Sequence, residues 1–94
     1  MNMQSFDARD VRNNSVRTAL ANLAAVADVE WRVLEINKQI ERQRQRVEEL
    51  AFLGHDIASA AGVLENLHVS LLVAVQDRHR VRAVLEKRGS LRAA

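Results

Sequence analysis

The chain has 94 residues, a formal net charge of +2, three Gly, no Pro and no Cys. That length holds one small domain. Disulfides and thiolate metal sites are excluded, a reducing compartment is the simple reading, and so small a charge requires no polyanionic partner.

Ala, Leu, Val, Arg and Glu dominate, and aromatic residues are limited to Phe6, Trp31 and Phe52. Straight-chain residues and Ala lose little entropy in a helix, so the composition favours an all-α fold. Residues 1–15 read as a polar N-terminal arm anchored by Phe6 and Val11. Within it, Asn13-Asn14-Ser15 is a plausible break, with Ser15 capping the helix that follows. The stretch Ala19 to Ala27 loosely resembles a signal-peptide core, but Asn22 interrupts it and it runs on into a heptad pattern, so no leader is expected. No continuous apolar run approaches the roughly 18 residues of a membrane span.

A first long helix is expected over 16–53. Its apolar residues recur in alternating steps of four and three: Val26, Val29, Val33, Ile36, Ile40, Gln43 in an apolar slot, Val47 and Leu50. Gly54 supplies a left-handed stop and Asp56 a new N-cap. The same spacing then returns over 57–88 at Ile57, Ala60, Leu64, Leu67, Leu71, Ala74, Arg78, Val81 and Leu85. Two seams separated by a tight turn specify an antiparallel helical hairpin. Gly62 lies inside the second helix, where close packing is the expected reason. Residues 89–94 are expected to be a flexible C-terminus.

Folding the chain about His55 places Leu50 beside Ala60, Val47 beside Leu64, Ile40 beside Leu71 and Val33 beside Arg78. Arg32 then faces Asp77, and Glu30 faces Arg82. Both pairs are opposite in charge, in agreement with the register that the apolar seams set. Arg78 is expected to lay its stem on the seam and reach water or Glu30, setting the alignment. Gln43 is expected to serve the same purpose facing Leu67.

Both helices carry apolar residues off the seam. The first has Leu20, Ala24, Ala27, Trp31 and Leu34; the second has Val69, Leu72, Val73 and Val75. A helix apolar nearly all round from Leu67 to Val75 needs cover on more than one side. A homodimer forming a four-helix bundle is the expected solution, with Trp31, Leu34, Val69, Leu72, Val73 and Val75 as its interaction residues.

Other constellations are weaker. Arg42, Arg44 and Arg46, with Arg80 and Arg82, are the candidate phosphate contacts of a nucleic-acid-associated regulator. The first three share no helical face and stand beside Glu41, Glu48 and Glu49. His68 and His79 lie about three turns apart and cannot hold one ion, and His55 with Asp56 is an incomplete site. Gly54-His55-Asp56 echoes the histidine box of sensor kinases, which raises a phosphotransfer partner using His55 or His68. Gly54 and the missing Pro depart from that box. No phosphate loop, nucleophile elbow or paired-carboxylate pocket is present, so no catalytic or cofactor-binding residue is expected.

Ile40-Glu41-Arg42-Gln43, Val47, Leu50, Gly54-His55-Asp56, Ala60, Leu64, Leu67, Ser70-Leu71 and Asp77-Arg78 together resemble short helical-hairpin proteins of rhizobia-like alphaproteobacteria. The Arg-Gln run and the Gly-His-Asp turn are the most specific parts. Ile57 stands where those proteins carry Thr, which removes any Thr-based capping there, and residues 1–28 lie outside the resemblance. It implies a bacterial, cytoplasmic helical hairpin and transfers no catalytic residue. The sequence thus leads to a non-enzymatic, self-associating interaction or structural protein with no cofactor, no metal and no membrane partner.

Overall fold

The computed structural model describes residues 8–93, with side chains placed over 12–88. It contains two helices, α1 (Ala8–Phe52) and α2 (Ala58–Ala93), packed against each other as an antiparallel hairpin. The molecule is a rod, 79 × 24 × 16 Å.

The turn forms as the residue types require. The Gly54 N–H donates to the Ala51 carbonyl at 3.1 Å and the His55 N–H to the Leu50 carbonyl at 2.9 Å. This pair of bonds closes α1 through a left-handed residue, and Gly54 has φ 75°. The Asp56 carboxylate then accepts from the Ala58 N–H at 3.0 Å, satisfying one of the orphan donors that open α2.

Every seam position is buried or half-buried except Ile57, which is 37% exposed at the tip. Among the described residues, the buried apolar side chains are Val29, Val33, Ala60 and Ala74. The inter-helix register is as the charges predict. Arg32 lies 3.5 Å from Asp77, and Arg82 pairs with Glu30. Arg78 also reaches Glu30, at 3.7 Å. Gln43 donates to the Ala60 carbonyl at 3.0 Å, so it ties the helices by a hydrogen bond while facing the seam.

The ends differ from the sequence expectation. The helix begins at Ala8, not Val16, and passes through Asn13-Asn14-Ser15 unbroken. The Thr18 hydroxyl donates to the Asn14 carbonyl at 2.9 Å inside that helix. Asn and Ser cost only tenths of a kcal/mol each in a helix interior, roughly 0.5 relative to Ala, which does not stop a helix flanked by good formers. The remainder of the expected arm, 1–7, lies outside the described residues. Likewise α2 continues through Gly89 and Ser90 to Ala93, where a loose tail was expected.

Gly62 also departs from expectation. A Cβ built on it meets nothing within 4 Å, so close packing within the hairpin is not its reason. Finally, α2 is long and apolar enough over Ala58–Arg88 to cross a membrane by length and composition. The apolar character is that of an 18-residue stretch whose mean hydropathy of 1.5 tolerates Glu65, Asn66 and His68, which interrupt every continuous apolar run. One such helix is weak evidence by itself.

Candidate functional site

A two-helix rod buries one stripe of each helix and leaves the rest in solvent. What remains outside is the candidate interaction surface. On α1, Val16, Leu20, Leu23, Trp31 and Leu34 are each more than half exposed. On α2, Val69 is 56% exposed, Leu72 64% and Val73 53%. Val75 is half-buried, because its position flanks the seam. So the structure leaves five of the six predicted interaction residues exposed and partly covers the sixth.

Val16 and Leu23 were not singled out in the sequence. Both lie three to four residues from Leu20, so the same helical spacing could have found them. The tip adds Phe52, 90% exposed, and Leu53. Trp31 is not bare. The Lys38 ammonium stands 5.7 Å from its ring centroid, a cation–π contact one heptad along the outer face.

The arginines are largely committed to carboxylates. Arg44 holds Glu41 at 2.6 Å and also pairs with Glu48. The Arg44 hydrogen bond draws the Glu41 carboxyl below its ordinary pKa, and the same contact raises that of Arg44. Arg80 lies 3.4 Å from Asp77, and Arg82 is held by Glu30. Arg42 and Arg46, four residues apart, are exposed on one side of α1, and Arg44 lies toward the other.

His55 sits exposed in the turn, off both helices, whereas His68 and His79 are exposed on α2. Among the described residues, no three His, Cys, Asp or Glu side chains gather where a metal ion could be held. The surface hollows are shallow. One runs beside Val75, Gln76, His79 and Arg80. Another lies between the helices at the open end, lined by Ala25, Val81, Val84 and Leu85. A groove of this kind suits a side chain of another helix better than a small substrate.

No known protein family matches the chain, and no curated protein and no solved structure matches it either.

Proposed function

We propose that this chain is a non-enzymatic helical interaction protein that works by associating with a second copy of itself, through the apolar stripes on the outside of the hairpin. The observation that carries the reading is their exposure: Leu20, Leu23, Trp31, Leu34, Val69, Leu72 and Val73 all stand more than half open to solvent. Monomeric soluble proteins rarely leave large apolar patches in solvent. The thin seam argues the same way, since a domain of this size has little core of its own and gains stability by association. Residence in a bacterial cytoplasm, with no membrane or nucleic-acid partner, belongs to the same proposal, supported by the alphaproteobacterial resemblance and by the committed arginines.

Sedimentation velocity across micromolar concentrations tests it. A dimer or higher species is expected, and a stable monomer throughout that range overturns the reading.

A further inference from the structure

The outer stripe of α1 reads the same in both directions. Leu20, Leu23, Ala27, Trp31 and Leu34 follow one another in steps of three, four, four and three residues. Ala27 is the midpoint. At about 100° per residue, all five lie within about 40° of the Ala27 direction, so they form one straight face. Each large member is more than half exposed, and Ala27 is exposed as well. We infer that a second copy docks on this face of α1, antiparallel, across a two-fold axis passing beside Ala27. The inference rests on the self-association reading above and names its geometry.

A two-fold interface joins one patch to itself, so the patch must be symmetric about the axis. Two identical antiparallel helices also meet head-on only at the axis, and the residue there must be small. Ala27 is the small member of the stripe. Away from the axis, the large residues alternate sides. Leu20 and Leu34 fall about 20° to opposite sides of the Ala27 direction, and Leu23 and Trp31 about 40° to opposite sides. At each level, therefore, Leu20 of one copy stands beside Leu34 of the other, and Leu23 beside Trp31. They interdigitate and do not collide.

With Ala27 at the centre, Arg12 is level with Arg42 of the other copy and Arg17 with Asn37, so the rim charges do not select this alignment, and its geometry rests on the symmetry of the exposed apolar stripe.

The test uses the full chain, which has no cysteine of its own. Single cysteines at Thr18 and at Gln39, both exposed, carry spin labels, and dipolar spectroscopy reads the distance between equivalent labels in the dimer. The axial separations expected are about 27 Å for Thr18→Cys and about 36 Å for Gln39→Cys, twice each residue's offset from Ala27 at ~1.5 Å per residue. A different antiparallel centre lengthens one distance and shortens the other. A parallel dimer makes both short. Either result overturns this geometry and leaves self-association standing.

In parallel, Ala27→Glu places like charges head-on at the axis and is expected to weaken dimerisation by more than about tenfold. Ser59→Glu, at an exposed position of α2 beside the turn, is expected to leave it within about twofold, because that residue lies far from the contact. Circular dichroism of each variant confirms that the helices persist. Resistance of the dimer to Ala27→Glu, or its loss on Ser59→Glu with helicity intact, overturns the α1 contact. A wild-type chain that never dimerises overturns both this inference and the reading beneath it.

Discussion

Gly54 and Gly62 offer the same space and opposite consequences. A Cβ on either meets nothing within 4 Å, so sterics with the rest of the hairpin do not distinguish them. Backbone conformation does. Gly62 lies in the interior of α2 with ordinary helical dihedrals, where Gly is worse than Ala by about 0.8–1.0 kcal/mol through the extra entropy of the unfolded chain. Gly62→Ala is therefore expected to stabilise by about that amount. For a domain of this size, that is a rise in melting temperature of about 4–8 °C. Gly54 has φ 75°, and an L-residue there costs about 1–2 kcal/mol. Gly54→Ala is expected to lower the melting temperature by at least as much as the first variant raises it. Thermal unfolding followed by circular dichroism at one fixed protein concentration measures both, since association makes the midpoint concentration-dependent. The reasoning fails if both variants shift the midpoint in the same direction. A fall for Gly62→Ala in particular means that a surface outside the hairpin occupies the space beside Gly62.

Arg78→Leu is expected to raise stability by on the order of 1 kcal/mol, because a half-buried seam slot gains apolar cover while Glu30 keeps Arg82 as a partner. It should also broaden the distribution of assemblies seen by sedimentation, and a loss of stability with one sharp species would show that the Arg78–Glu30 contact matters more than the seam. Glu41 has its pKa lowered in the folded chain by Arg44, so the pair stabilises above the unfolded carboxylate pKa and that contribution is lost as pH falls through the depressed folded value. Arg44→Ala should then lower the melting temperature slightly at neutral pH and not at all in acid, and should return the Glu41 titration toward the usual range by NMR; an equal effect at both pH values would assign the loss to packing instead.

The heptad spacing made the hairpin legible because both helices bury one narrow stripe, and a stripe of that kind leaves the same period in each. The register was legible for a second reason. Arg32 with Asp77 and Glu30 with Arg82 lie on the two sides of the seam, and only one alignment joins both pairs. The ends of the helices were not legible. Asn13, Asn14, Ser15, Gly89 and Ser90 are each mildly unfavourable in a helix, and mild penalties shorten a helix only where nothing beyond them favours continuation. Exposure of the outer stripes followed from pattern, since a second helix covers only one side of each. The use of those stripes did not, because a face on one chain carries no mark of its partner except its own symmetry. That symmetry is complete only with Leu23 on the same straight face as Leu20, Ala27, Trp31 and Leu34.

The single tight turn also sets the order in which the rod assembles. Contacts across the seam join residues ever farther apart along the chain: 17 positions for Gln43 and Ala60, 45 for Arg32 and Asp77, 52 for Glu30 and Arg82, 66 for Asn22 and Arg88. No contact near the open end closes cheaply until those nearer the turn have brought the two strands of the rod together. The hairpin is therefore expected to zip from Gly54 outward and to unzip from Asn22 and Arg88 inward. Amide hydrogens in the outer turns exchange through this fraying, at a rate set by how many rungs must open. A second copy clasped around Ala27 would grip the rod at its looser half, so that association and the completion of folding become the same event.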